Sequence, residues 1–149
     1  MAQLSVIGDT FYDIVATDLA GLPCLGADVL GTISTYPGGS AVNIVSHAAT
    51  YSSFIELPTR IAIYSAVGST DEFGRLIIEH LKRLGIETFM KMSDKPTAKC
   101  LVLSTASDRS FVSDRGSIID IDLRQFDPHT FMEQVKNGHL HLAGVYLSP

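Results

Sequence analysis

Residues 37–43, with the sequence PGGSAVN, have the residue types of a site where a ligand comes close to the backbone. Gly38 and Gly39 can adopt backbone angles closed to other residues and leave room at the main chain. A helix that begins at about Ser40 would add unpaired N–H groups, which favour hydroxyl or anionic oxygens. Asn43 adds one acceptor and two donors near the same end. The segment is a candidate binding site, and a tight strand-to-helix turn with Ser40 as N-cap is the alternative.

The residues around this segment predict the elements that position it. Residues 4–7 form a short apolar run that Gly8-Asp9 ends, which is typical of a buried strand. Residues 29–36 have the β-branched content of another strand, and the small and apolar residues 41–50 predict a helix. A doubly wound domain would normally enter its first helix directly after the first strand. We therefore interpret residues 11–36 as a β insertion that could form a lid.

The most regular helical pattern of the chain follows Gly68. Ser69 and Glu72 have the spacing of a capping box, with Ser69 as the N-cap. Apolar residues then recur at helical spacing, at Phe73, Ile77, Leu81 and Leu84. Gly85 ends the pattern. Asp71 and Glu72 could have a functional role, but acidic residues in a first turn more often stabilise the helix dipole.

The rest of the chain alternates in the same way. Residues 51–59 show no period and predict a loop. The pattern predicts strands at 60–67, 86–92 and 139–145, a hairpin from 97–105 and 110–113, and a helix that begins at Asp127-Pro128. This order favours the α/β class, with a parallel sheet flanked by helices and the two β insertions paired above one edge.

The composition excludes several classes of function. The 149 residues have room for one domain, 46% of them are apolar, and no apolar run is long enough to cross a membrane. A net charge of -5 without a basic cluster argues against nucleic acid as a partner. Residues 1–7 contain no secretory signal, so we expect a cytoplasmic protein with Cys24 and Cys100 as free thiols. His139 and His141 would share a strand face, but no third ligand accompanies them and we expect no metal site.

The motifs and their order resemble the N-terminal half of the ribokinase-like, or PfkB-family, sugar and nucleoside kinases. The resemblance begins with Gly8-Asp9, Asp13 downstream and the PGGSAVN segment. It continues through VGSTDEFG at 67–74, LGI at 84–86, Thr97, DRS at 108–110, RGS at 115–117 and LHLAG at 140–144. The match spans almost the whole chain.

The resemblance implies a ribokinase-like domain over residues 1–149, with lid segments at about 11–36 and 97–115. It implies that Asp13 accepts hydrogen bonds from the hydroxyls of a sugar or nucleoside, because charge-assisted bonds are short and strong. Gly38 and Gly39 would let the backbone meet the sugar, and Asn43 would add a side-chain contact. Lids of relatives often pair between subunits, so we expect a homodimer through the lid or an exposed sheet edge.

The chain departs from the family in what it lacks. In the family, MgATP binds mostly to the C-terminal half, which carries the catalytic aspartate and a glycine-rich anion hole. This chain has no Gly-Ala-Gly-Asp motif and no Gly-Lys-Ser/Thr phosphate loop, so we expect neither strong MgATP binding nor turnover from it alone. An enzyme portion and a non-catalytic or truncated relative that self-associates both remain open. An unrelated Rossmann-like domain is disfavoured because Gly-x-Gly-x-x-Gly is absent after the first strand.

Overall fold

The computed structural model describes residues 2–136 and 138–144. The elements follow in the order β1 (Ala2–Ile7), β2 (Phe11–Leu19), β3 (Thr32–Gly38), α1 (Ser40–Phe54), β4 (Thr59–Gly68), α2 (Glu72–Arg83), β5 (Glu87–Ser93), β6 (Lys99–Thr105), β7 (Arg109–Asp114), α3 (Pro128–Lys136) and β8 (His139–Leu142). Two short 3-10 turns, Gly116–Asp120 and Leu123–Gln125, precede α3. The end of the last predicted strand, at residue 145, lies outside the described residues.

The main sheet is parallel and has the strand order β5-β4-β1-β8. One face packs on α1 and α2 through a core that includes Val6, Val45, Ile63 and Ile77. The other face carries Tyr64, whose ring stacks on Phe89. The same ring makes edge-to-face contacts with Phe126, which precedes α3, and with Phe131 in α3. Because β4 is covered on both faces, its residues from Ile61 onward are buried. The predicted α/β class is confirmed.

The second sheet is smaller and mixed, with the order β3-β2-β6-β7. Its central pair, β2 and β6, is parallel, and each outer strand is antiparallel to its neighbour. The ring of Tyr12 stacks on Phe73 at the start of α2, with 4.7 Å between ring centroids. This contact holds the start of β2 against the start of α2, one of the helices that cover the main sheet.

The structure corrects two helix boundaries. Helix α1 continues to Phe54, so the first four residues of the predicted 51–59 loop are helical. No glycine or proline interrupts the chain there before Pro58, which explains why the helix persists without an apolar period. The N-cap of α2 is Asp71 and not Ser69, because the Asp71 carboxylate accepts the Gly74 N–H at 2.8 Å.

No helix within the described ranges has the length and hydropathy of a membrane span.

Candidate functional site

Asp13 and Gly38 lie in direct contact at the base of the small sheet. On the ladder between β2 and β3, Phe11 pairs with Gly38 and Asp13 pairs with Tyr36. A Cβ added to Gly38 would overlap the carboxylate of Asp13. The absence of a side chain at position 38 therefore gives the Asp13 carboxylate its place over the backbone.

Gly39 is required by both its conformation and its surroundings. It is the N-cap of α1, with φ of 90° and ψ of 156°, a region that is essentially restricted to glycine. A Cβ at this position would lie 2.8 Å from the carbonyl oxygen of Asp9 and 2.9 Å from the Phe11 nitrogen. The turn therefore brings the start of α1 within contact of the β1–β2 connection.

The N-terminus of α1 is less open than the sequence predicts. The Ser40 N–H donates to Oδ1 of Asp9 at 3.1 Å, and the Ala41 N–H donates to the Asp9 carbonyl at 3.2 Å. The expectation of unpaired N–H groups is wrong for these two, and Ser40 is the first helical residue rather than the N-cap. Asp9 is 2% exposed, and a Cβ at Gly144 would overlap its carboxylate. Asp9 thus has a structural role in holding the helix.

Asp13 is half-buried, and its electrostatic surroundings are unfavourable for a charge. Burial removes water from the carboxylate and raises its pKa, and the negative charge of Asp9 raises it further. A ligand that donates O–H groups to the carboxylate would replace part of the lost hydration. The carboxylate is therefore suited to a ligand that supplies hydrogen-bond donors.

Asn43 lies on the first turn of α1, where its N–H donates to the Gly39 carbonyl at 3.0 Å. Its side chain is exposed. The structure thus joins Asn43 to the glycine turn through the backbone, whereas Asp13 and Gly38 meet directly.

The strand register adds three residues that sequence reasoning missed. Tyr36 on β3 and Cys100 on β6 are the cross-strand partners of Asp13, and Ser113 on β7 is the partner of Cys100. Cross-strand partners project from the same face of a sheet, so the three side chains lie on the face of Asp13. Sequence spacing could not identify them because β2 and β6 are far apart in the chain.

The Asp13 carboxylate is half-buried on its face of the small sheet. A cleft of about 610 Å³ lies elsewhere, beside Phe89 and Phe126. Within the described part of the chain, no three His, Cys, Asp or Glu side chains are grouped to hold a metal ion. The rings of His139 and His141 are 6.2 Å apart.

The comparison that decides the family is with the sequence model of the pfkB family carbohydrate kinases, which matches residues 1–149. The chain belongs to the PfkB family. The resemblance in the motifs is thereby confirmed. No curated protein matches this PfkB-family chain in sequence.

Solved structures of ribokinases share the fold of this PfkB chain. Ribokinase from Giardia lamblia is 26% identical, with a TM-score of 0.68, and the match covers 78% of this chain and 34% of that one. Ribokinase from Thermotoga maritima is 20% identical with a TM-score of 0.74, covering 90% and 43%. Arabidopsis thaliana ribokinase, complexed with ribose and ATP, is 22% identical with a TM-score of 0.68, covering 100% and 47%. The chain therefore spans about a third to a half of the length of these relatives.

Proposed function

We propose that the chain is the N-terminal, substrate-binding portion of a PfkB-type kinase that transfers the γ-phosphate of ATP to a hydroxyl of a sugar or nucleoside. The observation that carries this proposal is the half-buried Asp13 carboxylate seated over Gly38 beside the start of α1. The family supports the reaction type. The ribose and ATP in the Arabidopsis ribokinase complex support the substrate class.

Each residue of the site has a separate role in the proposal. Asp13 accepts hydrogen bonds from sugar hydroxyls, and these charge-assisted bonds are stronger than neutral ones. Gly38 leaves room for the carboxylate and the sugar, and Gly39 turns the chain into α1. Asn43 adds donors and an acceptor from the first helical turn. The cross-strand partners of Asp13 then influence which sugar or nucleoside fits.

The small sheet acts as a lid in this proposal, formed by segments at about 11–36 and 97–115. Closure of the lid over the sugar excludes water from the reacting hydroxyl. Asp13 lies on this sheet and is half-buried, so closure of the lid would remove the remaining water from its carboxylate. Because ATP is supplied inside cells, the proposal also places the protein in the cytoplasm.

MgATP supplies the transferred phosphoryl group and its counter-charge in this reaction class. The sequence contains neither a Gly-Ala-Gly-Asp motif nor a Gly-Lys-Ser/Thr phosphate loop. The proposal therefore assigns MgATP to parts of the kinase that this chain does not span.

Self-association through the small sheet is a second part of the proposal. Several large apolar side chains of this sheet and its connections are exposed, among them Leu30, Ile33, Phe111 and Val112. Such apolar surface tends to pair with another protein surface. It supports a homodimer of the kinase, and equally the alternative function, a non-catalytic or truncated PfkB relative that binds sugar and self-associates.

A thermal-shift screen of the chain against sugars and nucleosides tests the proposed function. We expect at least one of these ligands to raise the melting temperature, since a ligand at 100 times its Kd stabilises the folded state by about 2.7 kcal/mol. Asp13→Ala should abolish the shift. Glu133→Ala, which removes a charge from an exposed position of α3 outside the lid segments, should leave it unchanged. A panel without any shift, or an undiminished shift in Asp13→Ala, would contradict the proposal.

A further inference from the structure

Three buried hydroxyl groups anchor the small sheet to the carboxyl end of β4. Thr10 Oγ1 donates to the Ala66 carbonyl at 2.8 Å, and Ser117 Oγ donates to the same carbonyl at 3.2 Å. Thr97 Oγ1 accepts the Gly68 N–H at 2.9 Å. All three hydroxyl residues are fully buried, and each lies where the chain crosses between the two sheets. The three segments that connect the small sheet to the main sheet therefore all form hydrogen bonds with Ala66 or Gly68.

Asp71 strengthens one of these anchors. Its Oδ1 accepts both the Gly74 N–H at 2.8 Å and the Thr97 hydroxyl at 2.7 Å. Its Oδ2 accepts the Thr97 N–H at 2.5 Å. One carboxylate thus caps α2 and holds the residue that lies two positions before β6. Burial alone would raise the pKa of Asp71, but the bonds from Thr97 and Gly74 together lower it, so the ionised form is the one held.

Two glycines give this contact its close packing. A Cβ at Gly74 would lie 2.6 Å from the Gly68 carbonyl oxygen and 3.0 Å from Thr97 Oγ1. A Cβ at Gly68 would overlap the Asp71 carboxylate and lie 2.7 Å from the Thr97 nitrogen. The end of β4, the start of α2 and the segment before β6 therefore meet without space for side chains between them.

A short, continuous path leads from Thr97 to Asp13. The Tyr12 N–H donates to the carbonyl of Ala98, the residue after Thr97, at 2.8 Å. From there β6 runs parallel to β2, with Lys99 opposite Tyr12 and Cys100 opposite Asp13. A displacement of Thr97 would therefore move β6. Because β6 pairs with β2, it would also move Asp13 relative to the glycine turn.

We propose that Asp71 is a positioning residue for the sugar site, because its bonds to Thr97 set where β6, and with it Asp13, lies relative to Gly38. The inference rests on the proposed function, and it assigns to Asp71 a role beyond that of a helix cap. The cap needs one carboxylate oxygen, whereas the Thr97 N–H needs the other. The two roles can therefore be separated by substitution.

Asp71→Asn in the full chain separates them. Asparagine is a good N-cap and keeps an acceptor for the Gly74 N–H, but its amide nitrogen faces the Thr97 N–H as a donor. We expect the Kd of the sugar found by the screen to rise about tenfold, measured by calorimetry, because a smaller fraction of molecules holds Asp13 in place. Hydrogen exchange of the β2 and β6 amides should accelerate, while the amides of α2 keep their protection.

Asp127→Asn is the matched control. Asp127 also accepts a backbone N–H as an N-cap, from Thr130 at 2.7 Å, but at the start of α3. The Asp127→Asn variant should have an unchanged Kd for the sugar and unchanged hydrogen exchange of the β2 and β6 amides. If Asp71→Asn does not fold, Asp71→Ser replaces it, because serine caps a helix with a side chain too short to hold both partners.

The outcomes distinguish this inference from the proposed function. An unchanged Kd or unchanged β2 and β6 exchange in the Asp71 variant overturns the inference, even if the wild-type chain binds sugar well. If the wild-type chain binds no sugar, the proposed function fails, and unaltered exchange in the variant overturns the positioning role separately. Equal acceleration of exchange in β2, β6 and α2 would show that Asp71 acts only as a helix cap. This result would also overturn the inference.

Discussion

Replacing Asp13 with asparagine is expected to raise the free energy of unfolding of the free chain and to weaken sugar binding by about 100-fold. Asparagine has nearly the same shape but carries no charge. Burial and the charge of Asp9 raise the pKa of Asp13 in the folded state, so its ionised form is less favourable there than in the unfolded chain. Binding weakens because sugar hydroxyls lose charge-assisted acceptors. One substitution should thus improve stability and remove function.

The pH dependence of this stability gain provides its control. The cost of ionising Asp13 is complete above its raised folded pKa and disappears below the unfolded pKa. Urea denaturation should therefore show a more stable Asp13→Asn variant at pH 7 and no difference from wild type at strongly acidic pH. Asp28→Asn, at an exposed site, should show little effect at either pH. A destabilised Asp13→Asn variant at pH 7 would contradict the electrostatic account of the site.

Gly39→Ala is expected to lower the free energy of unfolding by about 3 kcal/mol, the larger of the two stability effects. Alanine would have to adopt a φ of 90° with ψ of 156°, which is unfavourable for any residue with a Cβ. Its Cβ would also lie 2.8 Å from the Asp9 carbonyl oxygen, and this neighbour is backbone that cannot rotate away. Denaturant unfolding of the purified variant measures the loss.

Gly85→Ala is the matched comparison for this substitution. Gly85 also has a positive φ, of 71°, but a Cβ there would meet nothing within 4 Å. We expect a loss of about 1 kcal/mol from backbone conformation alone. Equal losses at the two positions would show that the close approach of Gly39 to the β1–β2 connection contributes nothing.

The order of elements could be predicted from the sequence because it depends on local patterns. The apolar run of β4 and the helical spacing of Ile77 and Leu81 both reflect burial that repeats along one element. Helix ends depend on finer choices. Ser69 and Asp71 are both good N-cap residues, and the Thr97 contact that accompanies the Asp71 cap comes from 26 positions further along the chain.

Part of the candidate site could be predicted in the same way. Gly38 and Gly39 predict a tight turn, and the resemblance to the family indicates Asp13 as a binding residue. The role of Asp9 could not be inferred, because its partner, the Ser40 N–H, is 31 positions away and a sequence does not show which carboxylate reaches a helix terminus. Likewise, the neighbours of Asp13 on β6 follow from strand register, which is set by three-dimensional pairing.

The most direct test of the proposed sugar site is the pKa of the Asp13 carboxyl, measured by carbon NMR in the free chain and at saturating sugar. In the free chain we predict a pKa above the ordinary aspartate value of about 3.9. If sugar hydroxyls donate to the ionised carboxylate, binding must favour that form, and saturation should lower the pKa. An Asp13 pKa that is identical with and without bound sugar would contradict the account.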